Sequence, residues 1–413
     1  MGRDVTGKGA QVRTGRLSVF IVFALNGIVI GSWAPRMPSL AEQIGASPGV
    51  LGLSLLGSSV GMIASASVAG RLCARFGARA VVAVSALAAS VVVAVLSRVT
   101  SPPQLGLELV LLGASVGLLD VSMNVAAVTV IRRTERPLMP VFHAGFSFGA
   151  LAGSVGAAFA AGHGLGLDTH FLLVAVAAVA ITAGVIRFVP REERVADTGE
   201  HHAPDRRMLR RPVLWLLGGI ALLAAIVEGA SGDWSALFAV HERGMSEAAG
   251  ALTFSLFCVA MGLVRLFGEQ IERLLGAVRI LVGGALVAGV GLLLAAVVPV
   301  AGLSFVGFAL AGAGLAFAFP VALDLAGAVG RRGDGTGGEK EIGFVTTIAY
   351  SGFLIGPPMI GGVAQLTNLT FAIGFAGVVA MLIAPAALAA ASARRGEDVQ
   401  AKVERQETVT ATR

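Results

Sequence analysis

Ala69-Gly-Arg-Leu-Cys-Ala-Arg-Phe-Gly77 and Gly268-Glu-Gln-Ile-Glu-Arg-Leu-Leu-Gly276 share one plan. Each is nine residues long, carries Arg, closes on Gly and leads into an Arg-headed apolar run. They begin 199 residues apart, close to the 196 that separate Leu17 from Val213, where the first and seventh apolar runs start. Identity between the segments is slight, so the spacing carries the argument. Duplication of a six-helix unit requires this offset.

Outward from these segments the chain is a ladder of apolar runs. They occupy residues 17–34, 50–72, 80–96, 105–131, 141–161 and 171–189, then 213–239, 248–267, 280–300, 303–329, 342–366 and 371–393. Each is near or above the ~20 residues that a helix needs to cross ~30 Å of hydrocarbon. The longest polar interruption, rich in Arg, Glu, His and Asp, separates six runs from six. The expected fold is all-α and integral to a membrane, with twelve transmembrane helices in two six-helix bundles. Its expected divisions are a first bundle at 1–190, a linker at 191–212, a second bundle at 213–393 and a tail at 394–413.

Charge sets the orientation. When connections are assigned to alternate sides, only Arg36, Arg98 and Arg243 of the 31 Lys and Arg residues fall opposite the termini. Short cytoplasmic connections retain Lys and Arg, so both termini are expected in the cytoplasm, in a plasma (inner) membrane. The net charge of +6 then reports topology and contact with anionic membrane lipid, and no nucleic acid is expected as a partner. Charged residues are 14% where soluble domains carry about 25%, and mean hydropathy is +0.83. The first run is too long for the apolar stretch of a signal peptide and has no small-residue cleavage site, so it is expected to stay as a helix. Cys73 and Cys258 lie in or at the ends of spans and suggest no disulfide framework.

Small residues recur at i, i+4 in Gly57 and Gly61, Gly113 and Gly117, Gly145, Gly149 and Gly153, and Gly352 and Gly356. In lipid such faces let helix backbones approach closely. They serve either static packing or interfaces that slide between two rocking halves. Pro320 and the Pro357-Pro358 pair break the hydrogen-bond ladder and should bend their helices where a cavity or a neighbour satisfies the freed carbonyls.

An ionisable group within a span costs at least ~2.5 kcal/mol near the bilayer centre, so each is a hypothesis of function. Asp120, with Asn124 one turn later on the same face, could couple a proton to a polar solute, or could pair with an Arg to lock the bundle. Glu228 precedes Gly229-Ala-Ser-Gly-Asp-Trp234, where two glycines suggest a loosened helix of the kind that borders transporter sites. It is a second proton-coupling candidate, with a structural ion pair as the alternative, while Trp234 reads as an interfacial anchor. Candidate substrate-binding residues are Asn26, Asn124, Tyr350, Trp33 and His143, with interhelical glue as the other reading of Asn26 and a gate that of His143. Arg75, Arg79, Arg265, Arg273 and Asp324 fall toward the cytoplasmic ends and read as a gate.

This pattern of spans, repeat, termini and basic linker resembles the major facilitator superfamily over nearly the whole chain. Gly70 to Arg79 looks like its signature loop, with Arg75, Gly77 and Arg79 matching and Ala74 in the acidic position. Gly117-Leu-Leu-Asp-Val-Ser-Met-Asn124 is similar to the fucose/proton symporter branch, where the resemblance implies that Asp120 is the coupling carboxylate. Phe142 to Gly149 and Glu228 to Trp234 also look like bacterial permeases near that branch. That branch's acidic group in the first helix has no counterpart between Asn26 and Ser32.

The leading expectation is a proton-coupled secondary transporter, a symporter of a small polar, sugar-like solute. The competing one is a proton antiporter that exports a drug or amphipathic metabolite. No His-Glu-x-x-His or Walker-type loop occurs, and the Gly-x-Ser-x-Gly spellings at 57–61, 113–117 and 145–149 lie inside apolar runs and not at a strand-to-helix turn, so no enzyme is expected. Protons and a small-molecule substrate are the expected partners, with no cofactor, no metal and a monomeric chain.

Overall fold

In hydrocarbon a backbone N–H or C=O has no water to bind, so a spanning chain must satisfy these groups within itself. The computed structural model describes residues 3–134, 138–191, 210–330 and 338–411, and these residues contain helices and no strand. Twelve helices are long and apolar enough to cross a membrane. They are α1 (Arg13–Ile44), α2 (Pro48–Phe76), α3 (Ala78–Leu96), α4 (Pro102–Thr134), α5 (Val141–Gly162) and α6 (Leu167–Phe188), then α7 (Pro212–His241), α8 (Glu247–Leu266), α9 (Ala277–Val297), α10 (Ala301–Gly330), α11 (Lys340–Leu366) and α12 (Leu369–Glu397). An even number of crossings returns the chain to its starting side, here the terminal side; the opposite one is the distal side. Most of the expected linker lies outside the described residues. Helix continues from Ile383 through Ala411, so the described part of the expected tail is helical.

Two spans are interrupted where proline predicts it. Pro35 and Pro38 accompany a 3-10 turn at Ala34–Arg36 that redirects α1 into Met37–Ile44. In α10 one helix ends at Leu315 and the next begins at Ala318, two residues before Pro320. The double proline of α11 lies inside a helix that runs unbroken from Glu339 to Leu366.

The two nine-residue segments are alike in backbone as well as in spacing. Gly77 (φ 82°, ψ 144°) and Gly276 (φ 77°, ψ 154°) adopt one conformation, and a Cβ at either would meet nothing within 4 Å. Glycine is required there for its positive φ and not for space. Each turn starts the next span, α3 in the first half and α9 in the second.

Glycines hold the helices together inside each half. A side chain on Gly145, Gly149 or Gly153 would strike the α1 backbone at Phe20, Ala24 or Ile28. Gly57 and Gly61 meet α4 at Gly106 and Val110, and Gly113 and Gly117 meet α2 at Ser58 and Met62. Gly352 meets Leu222 of α7, so α11 sits on α7 as α5 sits on α1. These stripes pack helices within a half. Between the halves, Gly52 lies against the Pro357 carbonyl and Gly361 against Pro48 and Gly52.

Gly149→Leu should therefore lower the thermal midpoint of the purified protein, because overpacking costs about 1–3 kcal/mol. Gly156→Leu, one turn beyond Gly153 at a position with nothing within 4 Å, should leave it unchanged. Detergent thermal-shift measurements compare the two.

Candidate functional site

The prolines create the site's first requirement. Pro320 has no N–H to give the carbonyl four residues back, so the Ala316 oxygen lacks its helical donor. Arg265 of α8 supplies one, its Nε donating to Ala316 O at 3.0 Å. Pro357 likewise frees the Phe353 carbonyl, and Ser59 Oγ of α2 donates to it at 2.9 Å. The second bond crosses from one half to the other.

Around Arg265 lies a charged cluster. Its Nη2 is 3.7 Å from Glu228 Oε2, with the two side chains 43% and 29% exposed. Cys258 is within electrostatic range of both, and His143 of α5 is within range of Arg265. His143 also packs edge-on to Phe23, and Ser147, one turn on, faces Gly262 of α8. Arg265 reads in the sequence as part of a gate with Arg273 and Asp324, yet its ion pair is with Glu228 in the interior. Arg273 and Asp324 are exposed on the helices that follow. Arg75 is exposed with its guanidinium over the Phe76 ring, and Arg79 Nε donates to Val189 O at 2.6 Å.

A second cluster spans the halves. Asp120 is exposed near the middle of α4, and Asn124 Nδ2 donates to its backbone oxygen at 2.9 Å and approaches its Oδ1 at 3.5 Å. Tyr350 of α11, 40% exposed, lies within electrostatic range of the Asp120 carboxylate. α11 belongs to the other half, so this interaction crosses between the halves.

Several expected residues lie elsewhere. Asn26 is buried, because close approach of α1 to α5 turns it inward, where its Nδ2 is 3.8 Å from Met123 Sδ. Trp33 is buried in the core shared by the halves. Trp234 is fully buried, not an interfacial anchor, and the helix around it is continuous from Pro212 to His241 despite Gly229 and Gly232. Helical hydrogen bonding in a low dielectric outweighs the glycine penalty there.

The halves meet on the distal side. Arg36, 4% exposed, gives Nη2 to Leu165 O at 3.1 Å and stands 3.6 Å from Glu247 Oε2, whose other oxygen accepts from Ser39. Gly49 N donates to the Gln365 side chain at 3.2 Å. Val29, Trp33, Leu51 and Leu55 share one apolar core with Trp234 and Phe254 of the second half. Toward the termini, Val19, Phe23, Cys73, Met123 and Phe142 form a separate core of first-half residues alone. The first-half residues of the shared core lie distally, while α5 and α8 still meet toward the terminal side at Ser147 and Gly262. Sequence reading missed Arg36, Ser39, Glu247 and Ser59; the one available signal was an Arg on the side that has almost none.

Residues 19–338 match the sequence model of the Major Facilitator Superfamily. The chain belongs to that superfamily. This facilitator is 29% identical to an uncharacterised MFS-type transporter of Yersinia pestis, over 91% of its own length and 95% of the relative's. It is 30% identical to an uncharacterised transporter of Sinorhizobium fredii, over 88% and 94%. Among solved structures, a mutant of the nucleoside transporter NupG superposes with TM-score 0.78 at 12% identity, over 91% of this chain and 99% of that one. A bacterial homologue of the human lysosomal transporter Spinster, inward-facing and occupied, superposes with TM-score 0.71 at 14% identity, over 92% and 96%. At these identities the structural likeness is one of fold.

Cysteines that replace Asp120, Asn124 or Tyr350 of the facilitator in a Cys258→Ala background should react with a membrane-impermeant maleimide from the terminal side. One that replaces Asn26 should stay unreactive. Labelling in vesicles of both orientations reads this out.

Proposed function

We propose that this facilitator is a proton-coupled secondary transporter, a symporter of a small polar, sugar-like solute, working as a monomer by alternating access. On this reading both termini lie in the cytoplasm and the chain sits in the plasma membrane. One observation carries the proposal: a mid-span carboxylate, Asp120, lies within electrostatic range of a mid-span hydroxyl, Tyr350, of the opposite half. An ionised carboxylate tolerates a water-filled cavity and is costly once the cavity closes around it. A proton on Asp120 lets the halves close, and its release on the terminal side resets the site. Asn124 holds the carboxylate's orientation from one turn away. Glu228, Arg265 and His143 supply donors and acceptors to a polar solute.

Similarity of Gly117 to Asn124 to the fucose/proton symporter branch supports the same assignment. The alternative, export by antiport, rests on the small-residue spacing from Gly149 to Gly156 in α5, which lacks the proline of exporter motifs. The direction of pH-gradient-driven flux in vesicles of known orientation separates the two.

Asp120→Asn keeps shape and hydrogen bonding and removes the proton. It should abolish pH-gradient-driven accumulation and leave counterflow exchange measurable, since exchange needs no net proton movement. Accumulation with wild-type pH dependence in this variant would make Asp120 structural.

A further inference from the structure

Arg265 carries two loads on one rigid plane. Its Nε holds the Ala316 carbonyl that Pro320 leaves without a donor, at 3.0 Å. Its Nη2 stands 3.7 Å from Glu228 Oε2, well beyond the ~2.7–2.9 Å of a charge-assisted hydrogen bond. The guanidinium is planar, so bringing Nη2 into full contact with Glu228 draws Nε away from Ala316. The observed geometry favours the carbonyl. Both charged side chains are partly exposed, so a solute or a proton can reach them.

The carbonyl sits at a mechanical weak point. α10 is two helices, ending at Leu315 and resuming at Ala318, and its second piece runs to Gly330 on the terminal side. Phe317, at the break, packs against Gly268, which opens the short helix Gly268–Leu275 after α8. A shift at the break therefore reaches the terminal-side connection. The charged and titratable groups that face Arg265 are Glu228 from α7, Cys258 from its own helix and His143 from α5.

We propose that Arg265 is a positioning residue that links Glu228 to the break in α10, gripping Ala316 when Glu228 is neutral or occupied and loosening that grip when Glu228 is free and charged. The link rests on the reading of Glu228 as a site residue. It makes the terminal-side piece of α10 the element that responds to site occupancy. Two acceptors compete for one guanidinium, and the helix that loses it has no internal substitute.

The test is hydrogen–deuterium exchange of the full chain in lipid nanodiscs, read over residues 316–324 without solute or gradient. Glu228→Gln removes the competing charge and should slow exchange there, on the order of tenfold, the scale of one hydrogen bond from a charged donor. Arg265→Gln should speed it. In the double variant Glu228→Gln should have no further effect, because the link is gone. Arg265→Lys keeps the charge but has a single nitrogen, and should match Arg265→Gln; it also serves if Arg265→Gln fails to fold. An effect of Glu228→Gln that is equal with and without the Arg265 substitution overturns the proposal, as does no effect at all. The readout needs no transport, so it stands apart from the outcome for Asp120→Asn.

Discussion

A backbone carbonyl without a donor inside hydrocarbon is the constraint on which this structure turns, since each such group costs several kcal/mol. A span can meet it with helical bonds alone where it holds no interior proline. Pro320 and Pro357 break the rule, and the chain answers with Arg265 at Ala316 and Ser59 at Phe353. Each answer has a consequence beyond repair. Arg265 brings a cation into the interior, where Glu228 meets it, and Ser59 ties the first half to the second.

Close packing divides the molecule into parts that stay together and parts that can separate. α5 lies on α1, α4 on α2 and α11 on α7 through glycine contacts so tight that an added Cβ overlaps the neighbouring backbone. Such contacts gain dispersion energy only at one separation, so each half behaves as a solid body. Between the halves lie the long Arg36–Glu247 ion pair, single bonds at Ser39, Gln365 and Phe353, the Gly52 and Gly361 contacts of α2 with α11, and a shared apolar core. On the proposed alternating access, rocking of one body on the other would disturb the second set and leave the first intact.

The sequence made much of this legible for a physical reason: spanning length, charge retention and proline geometry are local properties. The spans, the repeat from Gly77 and Gly276, and the need for donors at Pro320 and Pro357 could all be read without coordinates. What donated could not, because Arg265 lies some fifty residues from Ala316 and looks like any Arg at a helix end. Asn26 reads as a cavity residue because it is polar and central, but which way it faces depends on how α1 rolls against α5. Gly229 and Gly232 read as a loosened helix because propensity measured in water overstates the glycine penalty where no solvent competes for the backbone. Arg36 was visible only as an exception to a charge rule, and its partner Glu247 comes from the other half.

The central claim is that two solid halves alternate about the α2–α11 contact. Pulsed electron spin resonance of labels at Arg71 and Arg273 on the terminal side, and separately at Thr100 and Leu366 on the distal side, measures it most directly. All four positions are exposed. The account requires two distance populations in each pair that change reciprocally with pH, the terminal distance shortening as the distal one lengthens. Distances that stay single, or that lengthen together on both sides, would contradict it.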